Sequence, residues 1–551
     1  MKRPGPKGII LRLFGTLFFT SFLFSSCSNP SGQSSDIKRP NILLLVADDL
    51  GYADLGCYGG DIETPNIDNL SQNGIRFSRF HTSPLCSPTR AMLLSGNDNH
   101  IAGIGRQGLV TDQFGYEGRI SDRVAIIPEV LKSAGYHTYM AGKWHLGADS
   151  VANPVNRGFE RSFVNLDGAG NHFDDYGIFE NYPKVPLMED GQSARWKEGR
   201  YSTDLFTDKL IEYIGSNIED EQPFFAFAAY TAPHWPLQVD EKYWKKYEGK
   251  FDEGYEALKE GRLESLKKAG LIPENAVLPP NHPSVLPWDS LTPHEQKKES
   301  RKMELYAGMV DNLDVNIGRL IEFLEEIDEL ENTIIVFMAD NGAAAEDFYY
   351  HDVYGPYIQE HFTDTSYQQM GTPRSFVSYG PQWAEVGSAP FRYFKSMATE
   401  GAVVAPMIIS GHGVQNKNKT YHGFISLMDL APTFYELAEA TYPKRFVDRE
   451  LFPLKGKSIT SIFDDMNRIV HDSTDVFAVE HGERVILIKG NWKIVNEEPP
   501  FEKENFKLFN LSNDLAELKD LREREKEKFD ELIKEWNKYS SEIGVQFPTP
   551  E

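Results

Sequence analysis

The stretch Asn41-Ile42-Leu43-Leu44-Leu45-Val46-Ala47-Asp48-Asp49 sets six apolar residues in a row and then breaks into two carboxylates. An apolar run without alternation is what a strand covered on both faces requires. Similar short runs recur at residues 137–141, 223–230 and 333–339, while 128–134 and 306–324 carry the spacing of amphipathic helices. Strand and helix signals in alternation predict an α/β fold: a large mixed sheet sandwiched by helices. Open sheets of this kind bind ligands beyond the carboxyl ends of their strands, so the residues that follow each run matter most.

Working outward, residues 241–301 are charged, helix-prone and interrupted by the proline-rich piece 278–287, which reads as a peripheral insertion. Residues 343–390 are rich in Gly, Tyr, Phe, Thr and Ser, a long loop suited to shaping the mouth of a site. After about residue 455 the pattern turns to short strands at 475–480, 484–489 and 492–496, then a charged helix at 516–539. This predicts a smaller C-terminal α+β subdomain with an antiparallel sheet and a helix. The domain expectation is 39–455 for the main domain and 456–551 for the subdomain.

At the other end, Lys2, Arg3, Lys7 and Arg12 precede an apolar stretch, 13–24, that is short for a membrane span. Residues 1–27 therefore read as a signal peptide. Phe24-Ser25-Ser26-Cys27 resembles a bacterial lipobox, which makes Cys27 a candidate for lipidation, with plain cleavage and secretion as the alternative. Residues 28–38 follow as a flexible tether. The expected location is the periplasm or outer surface of a bacterium, with membrane contact only through an N-terminal lipid. A net charge of -25 argues against nucleic acid as a partner, because phosphate polymers would be repelled. An anionic substrate must then be attracted locally.

Asp48 and Asp49 repel each other unless a cation or donors intervene. Residues 333–339 end the same way, in Asp340 and Asn341, so two strand ends offer matched oxygen ligands. Hard oxygen donors alone favour Ca²⁺, or Mg²⁺, over zinc. Cys86-Ser87-Pro88-Thr89-Arg90 through Gly96 reads as a helix with Ser87 at its cap, Pro88 first and Gly96 past its end, which puts Cys86 at an anion-favouring N-terminus with Arg90 one turn along. A Cys57–Cys86 disulfide is the competing expectation for an exported chain. The local context accounts for Cys86 better and leaves Cys57 as an odd, buried thiol.

Cys86-Ser87-Pro88-Thr89-Arg90 resembles the signature Cys-x-Pro-Ser/Thr-Arg of the type I, formylglycine-dependent sulfatases, of alkaline phosphatase-like fold. The likeness extends through Asp48-Asp49, Gly142-Lys143-Trp144-His145-Leu146-Gly147, Pro233-His234-Trp235-Pro236, Asp340-Asn341-Gly342 and 508–514, and is nearest the bacterial arylsulfatase branch. It implies hydrolysis of aryl or carbohydrate sulfate monoesters. Cys86 would be oxidised to formylglycine by a formylglycine-generating or anaerobic sulfatase-maturating enzyme. The aldehyde hydrate would take the sulfo group covalently and release it by collapse of its second hydroxyl. The resemblance further implies that Lys143 contacts sulfate, His145 supports the diol, His234 acts as general acid with Lys395 as a possible helper, and Asp48, Asp49, Asp340 and Asn341 hold the cation. Lys143 and His145 would share one face if their segment is extended. Where the family has Glu-Gly-Gly this chain has Glu400-Gly401-Ala402. Two alternatives stand beside this: a phosphate or phosphonate ester hydrolase of the same superfamily, and a lipid-anchored glycan-binding protein without turnover.

Overall fold

The Asn41–Ala47 strand lies near the middle of a ten-stranded sheet, and its residues from Ile42 to Ala47 are fully buried. The computed structural model describes residues 38–546. The strand order is Lys419–Tyr421, Gly74–Phe77, Met407–Gly411, Thr333–Ala339, Asn41–Ala47, Phe224–Ala229, His137–Lys143, Arg161–Asn165, Leu187–Glu189 and Gln192–Ser193. The five strands from Thr333–Ala339 to Arg161–Asn165 run parallel. Met407–Gly411 and Leu187–Glu189 pair antiparallel on either side of them, so the sheet is mixed as expected. Helices Ile127–Ser133, Ser202–Gly215 and Pro65–Gln72 pack on its strands.

The expected 306–324 helix is the last part of a 34-residue helix, Pro293–Glu326, started by a capping box between Thr292 and Glu295. Its first turns carry charge instead of an apolar stripe, which hid them; there Arg301 lays its guanidinium over Trp244, 3.8 Å from the ring centre. The region read as peripheral, 241–301, reaches inward. Its helix Tyr255–Lys268 buries Arg262 against Asp54 and Lys259 against Glu385, both structural pairs that tie it to the core. The long loop 343–390 contains two α-helices, Gly355–His361 and Gly380–Gly387, and two 3-10 turns, Phe348–Tyr350 and Tyr367–Gln369.

At the C-terminal end, strands Val476–His481, Arg484–Lys489, Trp492–Asn496 and Lys507–Asn510 form a four-stranded antiparallel sheet. The helix that covers it runs Lys526–Ile543, ten residues later at its start than the expected 516, and buries Phe529, Leu532, Trp536 and Ile543. Residues just before it are turns held to the sheet, as where the Leu521 N–H donates to the Leu508 carbonyl at 2.8 Å. Cys57 and Cys86 are both free thiols, so the disulfide alternative is not realised. The expected signal peptide, with Cys27, and the expected tether up to residue 37 lie outside the described residues.

Gly142 shows how tightly the centre is drawn. It adopts φ 118° immediately before Lys143, and a Cβ there would sit 1.8 Å from the Ala229 carbonyl oxygen of the neighbouring strand. Gly142→Ala should therefore cost on the order of 2–4 kcal/mol. Urea unfolding of the two proteins checks this, and an unchanged midpoint would contradict the close approach.

Candidate active site

Four neighbouring parallel strands deliver the site from their carboxyl ends. Thr333–Ala339 runs into Asp340 and Asn341, Asn41–Ala47 into Asp48 and Asp49, Phe224–Ala229 into the turn bearing His234, and His137–Lys143 ends on Lys143 itself. The helix Cys86–Ser95 adds Cys86 and Arg90. That helix begins at Cys86 with Leu85 as its cap residue, not at Pro88. Pro88 is tolerated because it still falls in the first turn, where a backbone N–H has no intrahelical partner to lose. Gly96 closes the helix with φ 62° as expected.

All ten residues expected at the site are brought together. Lys143 Nζ lies 2.7 Å from an Asp48 oxygen, and Lys395 Nζ lies 2.7 and 2.8 Å from the two oxygens of Asp49. Arg90 donates to Asp340 at 3.0 Å and to the Lys143 carbonyl at 3.0 Å. Each of the three buried acids is thus matched by one cation. The Asn341 amide donates to Asp49 at 2.6 Å. Cys86 Sγ stands 3.5 Å from Asp48 and 3.9 Å from Asp49, and His234 Nε2 stands 3.4 Å from Asp49. Ligand atoms of Asp48, Asp49, Cys86 and His234 all fall within 4.8 Å of one another.

His145 reaches the site differently from the extended reading. The strand stops at Lys143, and His145 takes φ 57°, so the two side chains are aimed by a turn in the chain. Its ring packs so closely on Gly168 that a Cβ there would meet it at 2.7 Å, and its buried Nδ1 has no partner among the described residues. The departure at Glu400-Gly401-Ala402 is absorbed: Ala402 lies in the short helix Glu400–Val403 and has no positive φ that would call for glycine.

Electrostatics separate the groups by role. Burial would lower Lys143 and Lys395, but their acid partners outweigh it and hold both firmly protonated. Burial, followed by Lys143 and Arg90, keeps the His145 ring neutral. His234 is pushed down to about 3, by burial first and then by Lys395 and Lys143 against Asp49. Its Nδ1–H donates to the Trp235 carbonyl at 2.7 Å, so Nε2 is the atom that faces Asp49 and can exchange a proton. Burial drives the Cys86 thiol well above its ordinary range, against the pull of Lys143 and Lys395.

The residues fit a hard divalent cation. Asp48, Asp49 and Asp340 present carboxylate oxygens, and beside them the buried Asn341 Oδ1 has no hydrogen-bond partner among the described residues, its Nδ2 being the atom on Asp49. Because the three acids and three cations balance, a divalent ion would leave the cluster positive and able to draw in an anion. Several supporting residues carried no signal in the sequence. His172 Nε2 meets the His234 carbonyl at 3.0 Å, and the Tyr306 hydroxyl donates to Asp54 at 2.6 Å to brace the loop after Asp49. Such partners are set by tertiary contact alone.

The family model described as Sulfatase matches residues 40–440. The chain is 40% identical over 532 residues to an uncharacterized sulfatase of Schizosaccharomyces pombe, a match covering 93% of this chain and 95% of that protein. It is 37% identical to an arylsulfatase of Klebsiella aerogenes, over 77% of this chain and 92% of that one. Among solved structures, that of Ps i-CgsB superposes with a TM-score of 0.66 at 25% identity, covering 91% of this chain and 93% of the other.

If the oxygen cluster holds a cation, protein stripped with EDTA should regain thermal stability on addition of Ca²⁺, by about 2.7 kcal/mol at 100 times the dissociation constant. Asp49→Asn and Asn341→Ala should each lose most of that gain. A melting temperature indifferent to Ca²⁺ and Mg²⁺ in the unsubstituted protein would refute the site.

Proposed function

We propose that this chain, which belongs to the sulfatase family and hydrolyses sulfate monoesters, does so through a formylglycine made from Cys86. The observation that carries this reading is the placement of Cys86: it opens the Cys86–Ser95 helix, is buried, and stands 3.5 Å from Asp48 and 3.9 Å from Asp49, in the cluster that also holds Lys143, Lys395 and His234. Burial raises its thiol above the ordinary range, whereas cysteine nucleophiles work as thiolates with lowered pKa. As a hydrated aldehyde it offers two hydroxyls in the same place, one to attack and one to drive release.

Asp48, Asp49, Asp340 and Asn341 would hold the cation, Ca²⁺ by preference with Mg²⁺ as the alternative, and when bound it would supply positive charge to the attacking hydroxyl and the incoming sulfate. Lys143 and Lys395, protonated and buried, face the sulfate oxygens, while Arg90 keeps Asp340 and the end of the Lys143 strand in place. The hydroxyl at residue 86 passes its proton to the adjoining Asp49 carboxylate as it bonds to sulfur, and the ester oxygen leaves and takes a proton. His234 Nε2 is placed to give that proton, helped by Lys395; the anionic ester favours the charged ring that the free site disfavours. Loss of the second hydroxyl's proton, toward the neutral His145, then breaks the bond to sulfate and restores the aldehyde.

On this reading the chain depends on a formylglycine-generating or anaerobic sulfatase-maturating enzyme. The charged and apolar N-terminal residues 1–27 support export to the periplasm or the bacterial surface, with Cys27 as lipid attachment. Mass spectrometry of the peptide containing Cys86 should show loss of sulfur to an aldehyde in active protein, and unmodified cysteine in fully active protein would sink the proposal. His234→Ala should slow esters with poor leaving groups by roughly 100-fold or more and activated aryl sulfates less. Equal slowing across a leaving-group series would contradict the acid role.

A further inference from the structure

Gln107 lies in the glycine-flanked turn Gly105-Arg106-Gln107-Gly108, which neither the signature nor the cation cluster includes. Its side-chain oxygen accepts a hydrogen bond from the Ser87 N–H at 3.1 Å, one residue from Cys86. Since that partner is an N–H, only the amide oxygen can face it, which fixes the orientation of the group. The two N–H bonds of Nε2 then point away from Ser87, and among the described residues none accepts a hydrogen bond from them. The turn itself is held from outside: the Gln107 backbone N–H donates to His481 Nε2 at 2.8 Å, at the end of the Val476–His481 strand. Burial, then the nearby His100, Arg106 and Arg484, keeps His481 neutral and able to accept.

Depth decides what Gln107 can meet. Lys143 and Arg90 are 0% and 1% exposed and Lys395 4%, so a sulfate group among them would be deeply buried. Gln107 is half-buried, and its amide is held one residue from residue 86, which puts it within reach of the alcohol portion of an ester bound there. We propose that Gln107 is a specificity-determining residue, donating from Nε2 to an oxygen on the leaving group, a hydroxyl or ring oxygen close to the ester. A free amide with its oxygen locked is a fixed donor that favours oxygen-rich alcohols over bare aryl groups. This rests on the sulfate-ester reading above.

The test uses matured protein and two kinds of probe, monosulfated hexosamines and 4-nitrophenyl sulfate. Gln107→Ala removes both ends of the amide. Gln107→Glu keeps an acceptor for the Ser87 N–H but has no donor. Both should lower kcat/KM on the sugar sulfate more than on 4-nitrophenyl sulfate, with a gap of roughly tenfold expressed mainly in KM. Equal losses on both probes would make Gln107 only a brace for the Cys86 helix and overturn the inference, as would full recovery of sugar-sulfate turnover in Gln107→Glu. Turnover of 4-nitrophenyl sulfate but of no sulfated hexosamine by the unsubstituted enzyme would also overturn it. Matured enzyme inactive on every sulfate ester would instead bring down the sulfatase reading on which it rests.

Discussion

Asp48, Asp49 and Asp340 are taken out of water at the ends of two adjacent strands, where mutual repulsion is at its most severe. Two like charges about 4 Å apart repel by about 4 kcal/mol even at an effective dielectric constant of 20. The surrounding protein is organised around that penalty. Burial raises the Asp340 carboxyl, and Asp48 adds to it, against Arg90. For Asp49 the balance goes the other way: burial is outweighed by Lys395, His234 and Lys143, and the acid is held below its usual range. The same lysines and arginine that neutralise the acids are the positive groups that face residue 86. On the proposed reading, metal cradle and anion pocket are therefore one structure, since the cations that make the acids tolerable would turn toward a sulfate once a divalent ion took over the carboxylates.

The C-terminal sheet takes part in that arrangement. Lys493, on the Trp492–Asn496 strand, donates to Glu400 at 2.7 Å, and Glu400 also meets His81 at 3.0 Å, all three side chains buried. Arg392 pairs with Glu497 at 2.9 Å beyond the end of the same strand. Between Arg392 and Glu400 runs the segment carrying Lys395, pinned further where the Lys395 N–H donates to the Ala343 carbonyl and the Gly342 N–H to the Ala402 carbonyl. On the other wall the sheet reaches the Cys86 helix through His481 and Gln107. Breaking a buried ion pair on one side leaves an uncompensated charge, which is costlier than the pair is worth. These contacts therefore fix position more than they add stability, and what they position is Lys395 and the nucleophile helix.

How much was legible in the sequence follows from what kind of force sets each feature. Asn41–Ala47 and Thr333–Ala339 were readable to the residue, because burial on both faces demands an unbroken apolar run. Strands toward the sheet's edges, such as Gly74–Phe77 and Leu187–Glu189, are too short to leave such a mark. The first turns of the Pro293–Glu326 helix were hidden because their charged side chains pack through their stems. All the expected site residues converge because their chemistry was visible in residue type and in place after a strand. The turn at His145 was not, since a positive φ at a non-glycine residue is imposed by packing around it. Gln107, His172 and Arg262 act through partners distant in the chain, and no local pattern encodes them.

The depth of Cys86 carries a consequence for how such a site is made. With 1% of its surface exposed, and roofed by Lys143, Lys395 and the carboxylates, the thiol offers no approach to another macromolecule in the folded chain. On the formylglycine reading, modification has to precede closure of the sheet around the Cys86–Ser95 helix. That helix is short, and its N-terminal turn is held by long-range partners: the Ser87 N–H by Gln107 and Arg90 by Asp340, 250 residues away. Before those partners arrive the segment has little reason to be helical, because isolated helices of this length are marginal in water. The packing that makes the mature residue reactive is thus the same packing that shuts the unmodified one away, and the order of events is set by the distance in sequence between Arg90 and Asp340.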